Sequence, residues 1–181
     1  MKFSDGYWVS RPGLRVDHPR HLTELRAAGN KLIGYAPIRP TVNRGSELDV
    51  PEFTVTVEPV AAGVIRVLLE RHRGYTNPGP HFDLGLPEGP FGSVRVEGAE
   101  GWVEAGPLTA HIHGALDYGI DFFFDRRPIT RSLSVGTSAV TRTDNTLPAY
   151  DPPAERYIAE QLTLDVGETV YGLGERFGPA V

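Results

Sequence analysis

Residues 53–69 read FTVTVEPVAAGVIRVLL, and this stretch decides the fold class. Its first five residues alternate apolar side chains with threonine, which is the period-two pattern of a β-strand. Pro59 is expected to end that strand, and an Ala-Ala-Gly turn leads into the next one. Because Ile65, Val67 and Leu69 share one face of this second strand, we expect that face to pack against a hydrophobic core.

Comparable strand signals recur on both sides of this hairpin, at the spacing of about 8–12 residues that is typical of sandwiches and barrels. No window has a sustained helical period with caps, and residues 22–27 would form one helical turn at most. The sequence therefore predicts one all-β domain over residues 1–181, with no linker. The further strands are predicted at residues 22–27, 31–36, 93–97, 102–105, 108–113, 120–124, 129–135, 137–141, 156–164 and 169–173.

The composition narrows the functional classes. The 21 glycines and 16 prolines are spread along the chain, which fits turns between short strands. The net charge of −5, with scattered basic residues, argues against a nucleic-acid partner. Cysteine is absent, which excludes disulfides and thiolate chemistry. The sequence shows no signal peptide and no apolar run that could span a bilayer, so we expect a cytoplasmic protein with no membrane partner.

Four histidines were considered as metal ligands. His111 and His113 are two residues apart on a predicted strand, so both rings are expected on one face. Together with His72 and His81 they would have the donor atoms for a zinc site. No cysteine is present and no carboxylate has ligand spacing to them along the chain. The favoured interpretation is a pair of solvent-facing histidines, and we predict no metal and no cofactor.

Asp121 and Asp125 are the pair of carboxylates closest to a glycosidase pattern. Four residues apart on a strand, they would lie roughly 13 Å from each other, which is too far for either glycosidase geometry. Asp125 is instead expected to start a turn over residues 125–128. Residues 172–178, GLGERFG, superficially resemble a phosphate-binding loop, but no helix is predicted after them and the third glycine is misplaced. We therefore predict no catalytic residue in this chain.

The long loop at residues 74–92 is rich in proline and glycine, and long loops in compact domains are often functional. Within it we single out Tyr75, Asn77, His81 and Phe82 as a candidate substrate rim. Packing of this loop against another domain or subunit is the equally weighted alternative. Six aromatic residues were considered as sugar-stacking platforms, although packing in a core or interface is favoured for each. They are Tyr7, Trp8, Tyr75, Phe82, Trp102 and Tyr150.

Three segments resemble a known enzyme family. Residues 166–177, VGETVYGLGERF, resemble the junction that follows the N-terminal β-sandwich in family 31 glycoside hydrolases. The opening MKFSDGYW with PGL at 12–14, and NPGPHF at 77–82, resemble the bacterial α-xylosidases of that family. In the junction, the residues that carry the resemblance are expected to have a structural role. They are Tyr171, Gly172, Gly174, Glu175 and Arg176.

The resemblance implies a galactose-mutarotase-like β-sandwich, or supersandwich, that is incomplete at its C-terminus. It implies that further strands and a catalytic (β/α)₈ barrel follow residue 181. In this family the nucleophile and the general acid are aspartates on the barrel, and α-glycosides are hydrolysed with retention, without metal or cofactor. The chain alone is therefore expected not to be an enzyme. Its expected partners are its own barrel and an α-xyloside or α-glucoside oligosaccharide.

Three functions follow as hypotheses. The leading one is a non-catalytic domain that supports the barrel and lends a loop to the rim of the active site. The alternative is an independent carbohydrate-binding module. A small epimerase would need converging His and Glu side chains, and nothing in the spacing brings His81, His111 and Glu175 together. Open sheet edges in an incomplete sandwich also predict a homo-oligomer.

Overall fold

The computed structural model of the chain describes residues 4–5, 9–47, 50–71, 82, 85, 89, 91–142 and 156–171. In these parts the secondary structure is almost entirely β, with one single-turn helix, α1 (Arg44–Glu47). No helix among them is long and apolar enough to span a membrane. The strands are β1 (Ser4–Asp5), β2 (Val9–Ser10), β3 (Leu14–Asp17), β4 (Glu24–Ala27), β5 (Leu32–Pro37), β6 (Glu52–Ala61), β7 (Val64–Glu70), β8 (Ser93–Glu97), β9 (Glu100–Ala105), β10 (Leu108–His113), β11 (Gly119–Phe124), β12 (Arg127–Leu133), β13 (Ser138–Arg142) and β14 (Arg156–Ala159).

The described strands form four antiparallel sheets. The largest has the order β12-β11-β10-β9-β8, and a four-stranded sheet has the order β4-β5-β6-β7. A three-stranded sheet, β14-β13-β3, and the pair β1-β2 complete the set. In the two larger sheets, chain neighbours are also sheet neighbours, as short turns between antiparallel strands require. The predicted all-β sandwich is confirmed.

The core lies between the four- and five-stranded sheets. Phe53, Val55 and Leu32 from one sheet are fully buried in one cluster with Val103 and Ile112 from the other. Burying side chains of this size stabilises the fold by about 1.5–3 kcal/mol each. The predicted inward face of β7 is confirmed, since its alternate apolar residues pack against this cluster.

Two prolines lie inside strands, contrary to prediction. Pro59 was expected to end its strand, but β6 continues to Ala61 and the register with β7 shifts between these two residues. Pro128 was expected in a turn, but it lies in β12 beside a register shift at Phe122/Phe123. A residue without an N–H group is tolerated at such irregularities, because the ladder already lacks a hydrogen bond there.

The C-terminal segment also differs from prediction. The strand expected over 156–164 ends at Ala159, and residues 169–171 are not in a strand. The segment nevertheless follows the edge of β12, where the Thr163 amide donates to the Arg131 carbonyl at 3.0 Å. Gly136 permits this approach, because a Cβ there would lie 2.6 Å from the Gln161 carbonyl oxygen.

Candidate functional site

The outer face of the five-stranded sheet carries a continuous row of polar and aromatic side chains. Strand alternation sends the apolar residues into the sandwich and leaves this set outside. The antiparallel register places one residue of each strand opposite the next, where side chains are in contact range. This cross-strand row consists of Arg95, Trp102, His111, Asp121 and Arg131.

Trp102 is enclosed on both ring faces. The His111 ring stacks on it with centroids 4.7 Å apart and planes 6° apart. The Arg95 guanidinium carbon lies 3.8 Å from its centroid. Because β8 and β10 flank β9 on opposite sides, these two neighbours cover opposite faces of the indole. Trp102 therefore offers no free face for stacking on a sugar ring.

A carboxylate lies beside each histidine of this face. Glu100 Oε2 lies 3.2 Å from His111 Nε2, and Asp121 Oδ2 lies 3.5 Å from His113 Nε2. The two imidazole rings are tilted, with centroids 5.5 Å apart, so the prediction that they share one face is confirmed. The spacing of residues along the chain does not reveal these two carboxylates, because they come from the neighbouring strands β9 and β11.

These groups do not form a metal centre. No cluster of three or more His, Cys, Asp or Glu side chains that could hold a metal ion occurs among the residues that the structure describes. Asp121 is engaged elsewhere, since Arg131 Nε donates to its Oδ1 at 2.6 Å. His72 and His81, the other histidines considered as ligands, lie outside the described residues.

Gly119 makes room for the His113 ring. The two residues are opposite each other in the register of β10 and β11. A Cβ at position 119 would lie 2.8 Å from His113 Cε1 and 2.9 Å from Nε2, so any larger residue would displace the ring. The imidazole therefore lies across the glycine and beside Asp121, with its Nε2 shielded from solvent.

A shallow cavity of about 430 Å³ opens beside this network. We call it the polar bowl. Three carboxylates and one guanidinium line it, so its formal charge is negative when the histidines are neutral. The side chain of Leu116 is 96% exposed and forms part of its wall. The lining residues are Glu100, His111, His113, Gly114, Ala115, Leu116, Asp117, Asp121 and Arg131.

The carboxylates considered as a glycosidase pair have separate roles. Asp121 belongs to the cross-strand row, whereas Asp125 lies in the turn after β11 with φ 48. The Asp125 amide donates to the Pro107 carbonyl at 2.9 Å, which confirms its predicted role in a turn. The two residues therefore do not converge on one site.

A second carboxylate pair lies on the four-stranded sheet. Partial burial, and then the negative charge of Glu24, raise the pKa of Glu52. Paired carboxylates with separated pKa values are typical of glycosidases. Both side chains are nevertheless exposed, and Glu24 is also 3.3 Å from Arg26 Nε. Because both carboxylates are open to solvent and one of them is paired with an arginine, we assign this pair no catalytic role.

Most of the residues predicted as functional lie outside the described residues. Tyr75, Asn77 and His81 lie outside the described residues, and Phe82 is 76% exposed. Of the junction residues, Tyr171 is exposed, whereas Gly172, Gly174, Glu175 and Arg176 lie outside the described residues. Among the proposed aromatic platforms, Tyr7, Trp8 and Tyr150 also lie outside them.

An apolar groove of about 440 Å³ lies between β12 and the C-terminal segment. Its apolar residues are 45–60% exposed, which is unusual for a cluster of large aliphatic residues. We call it the C-terminal groove. Its apolar residues are Ile129, Leu162, Leu164 and Val170.

Comparison with known proteins identifies relatives. No family model matches the chain. It is 27% identical over 177 residues to the alpha-xylosidase XylQ of Lactiplantibacillus pentosus, covering 98% of this chain and 22% of that protein. The resemblance to α-xylosidases is confirmed. The chain is also 27% identical over 192 residues to an alpha-xylosidase of Emericella nidulans, covering 100% of this chain and 24% of that protein. It thus spans less than a quarter of the length of these relatives.

Proposed function

We propose that the chain is the non-catalytic N-terminal β-sandwich domain of a retaining α-glycosidase of family 31, of the α-xylosidase or α-glucosidase type. The match of the whole chain to less than a quarter of two α-xylosidases carries this proposal. Under this proposal, a catalytic (β/α)₈ barrel in the same polypeptide hydrolyses α-xylosides. The sandwich supports that barrel.

The carboxylates of the polar bowl support a non-catalytic role. Retaining glycosidases place two carboxyl groups about 5–5.5 Å apart, one as nucleophile and one as acid. Asp121 is bound by Arg131 and Glu100 faces His111, so both are engaged as ion-pair or hydrogen-bond partners.

The C-terminal groove is the proposed contact with the barrel. Its aliphatic side chains would be covered by a domain of the same polypeptide, which the length of the relatives provides. Burial of such a patch would stabilise the pair of domains. The loop that contains Tyr75, Asn77, His81 and Phe82 is proposed as the part that reaches the rim of the active site.

Expression of the complete reading frame that contains residues 1–181 tests this proposal. The complete polypeptide is expected to hydrolyse p-nitrophenyl α-D-xyloside, and the 181-residue chain is expected not to. Leu162→Asp, at a side chain 53% exposed in the C-terminal groove, should lower the melting temperature of the complete polypeptide. Val42→Asp, at a side chain 80% exposed elsewhere, is the matched control and should not. Hydrolysis by the short chain, or its absence from the complete polypeptide, would overturn the proposal.

An independent carbohydrate-binding module is the second candidate function. The polar bowl favours it, because saccharides bind in shallow polar sites. The enclosed faces of Trp102 count against it, because such modules stack sugars on free aromatic faces. Titration of the 181-residue chain with xylose and isoprimeverose distinguishes the two candidates, since binding to an independent module would change the fluorescence of the aromatic residue on which the sugar stacks.

Self-association and a cytoplasmic location are parts of the same proposal. Among the described strands, β4 and β7 are the outer strands of the four-stranded sheet, and outer strands favour pairing between chains. Light scattering of the 181-residue chain is expected to show dimers or larger oligomers. A monomer at high concentration would contradict this expectation.

The negative net charge supports the absence of a nucleic-acid partner.

A further inference from the structure

We propose that the polar bowl on the outer face of the five-stranded sheet binds one neutral sugar ring. The bowl of about 430 Å³ is within the size range of small-molecule sites, about 300–1,000 Å³. The binding itself is inferred from the geometry of the bowl. Only the choice of α-xylosyl sugars as the first ligands to test rests on the proposed function.

The donor and acceptor groups of the bowl match a polyol. Glu100 and Asp121 accept hydrogen bonds, Arg131 donates them, and a sugar hydroxyl does both. A vicinal diol can therefore donate to one carboxylate and accept from the guanidinium. The excess of carboxylates disfavours phosphate, sulfate and other anions. A neutral, hydroxyl-rich ligand can form hydrogen bonds with both the accessible carboxylates and the guanidinium of the lining.

The polar side chains are already held in place. Asp121 Oδ1 is fixed by Arg131 Nε at 2.6 Å, and its other oxygen faces the His113 ring that Gly119 admits. Side chains that are ordered before binding lose less conformational entropy when the ligand arrives. His113 is not expected to contact the ligand, because its Nε2 is shielded from solvent and has no hydrogen-bond partner among the described residues.

Leu116 supplies the apolar part of the site. Its side chain is 96% exposed at the wall of the bowl, where the C–H face of a sugar ring can pack against it. Trp102 cannot serve as a platform, because Arg95 and His111 cover its faces. With an aliphatic side chain in place of an aromatic one, we expect dissociation constants on the order of 1 mM.

Nitrogen-15 NMR titration of the 181-residue chain with isoprimeverose tests this inference. The Arg131 side-chain Nε–H and the backbone amides of Glu100, Leu116 and Asp121 are expected to shift together and to saturate. Arg131→Ala should weaken binding about tenfold, as the loss of a hydrogen bond to a charged group would. Arg66→Ala is the matched control and should leave binding unchanged. Arg66 and Arg131 are 56% and 53% exposed, and each pairs with a carboxylate of a neighbouring strand.

Four outcomes would overturn the inference. They are shifts confined to another surface, equal affinity of the Arg131→Ala variant, tighter binding of N-acetyl-lysine amide than of the sugar, and no shift with xylose, isoprimeverose or methyl α-glucoside at about 100 mM. If Arg131→Ala does not fold, Glu100→Gln replaces it with the same expected loss. Failure of the complete polypeptide to hydrolyse α-xylosides would refute the proposed function but leave this titration unaffected.

Discussion

The imidazole of His111 lies flat against the indole of Trp102, with the ring centroids 4.7 Å apart and the planes within 6°. The Arg95 guanidinium covers the opposite face of the indole at 3.8 Å. Three strands of the largest sheet are thus joined by contacts between their outward side chains, in addition to the backbone ladder. Cross-strand pairs of this kind stabilise a sheet and fix its register.

A double-mutant cycle of Trp102→Ala and His111→Ala measures this contact. We expect a coupling energy of about 0.5–1.5 kcal/mol in urea unfolding, since stacked aromatic pairs contribute that much beyond the burial of their area. The control cycle combines Trp102→Ala with Arg66→Ala, which lies on the other sheet and should be additive within about 0.5 kcal/mol. Additivity of the Trp102 and His111 substitutions would show that the rings are merely adjacent.

Gly119 is predicted to be required by the His113 ring rather than by the backbone. Gly119→Ala should destabilise the wild-type protein by about 1–3 kcal/mol, because its Cβ would overlap the imidazole. In a His113→Ala background the same change should cost nothing, since the ring that it meets is gone. Urea unfolding of the four proteins measures the difference. An equal cost in both backgrounds would assign the glycine to the backbone of β11.

The strands of the core hairpin are predictable from the sequence because the signals are local. The alternation of apolar residues at 53–57 and at 64–69 predicts which side chains face the core, and the structure confirms this prediction. The predictions for Pro59 and Pro128 were wrong because they depended on contacts with strands that are distant along the chain. Each proline is accommodated by a register shift against a partner strand, and the partner cannot be read from residues near the proline.

The candidate site depends even more on strand pairing that the local sequence does not reveal. The shared face of His111 and His113 follows from their spacing of two residues. Their contacts with Glu100 and Asp121 depend on how β9, β10 and β11 are aligned, and a shift of one residue would send these carboxylates to the other face. Because register arises from long-range pairing, the sequence indicates the two histidines but does not indicate the bowl that they line.

Gly136→Ala is predicted to detach the C-terminal segment from β12. The new Cβ would lie 2.6 Å from the Gln161 carbonyl oxygen, and a backbone atom cannot move aside as a side-chain end would. Hydrogen exchange should then increase at the Thr163 amide, which donates to Arg131, while the amides of β10 stay protected. Unchanged protection at Thr163 would show that the segment adapts to the extra methyl group.

The ionisation of Tyr118 is expected to make the stability of the fold depend on pH. Its side chain is 1% exposed, and its hydroxyl is buried without a hydrogen-bond partner among the described residues. Burial, and then the charge of Glu160, raise the pKa of this phenol. In the unfolded chain the phenol ionises at about pH 10. The folded protein therefore keeps a proton above that pH that the unfolded chain releases, and folding stability falls as the pH rises.

Tyr118→Phe removes this ionisation and a buried hydroxyl that has no partner. We expect the variant to be as stable as the wild type or slightly more stable at neutral pH, because no hydrogen bond is lost. At about pH 11 it should exceed the wild type by roughly a further 1 kcal/mol in urea unfolding. Tyr35→Phe, at a half-buried tyrosine of β5, is the matched control for removing a phenol oxygen. A Tyr118→Phe variant that is less stable than the wild type at neutral pH would mean that the hydroxyl forms a stabilising hydrogen bond in solution.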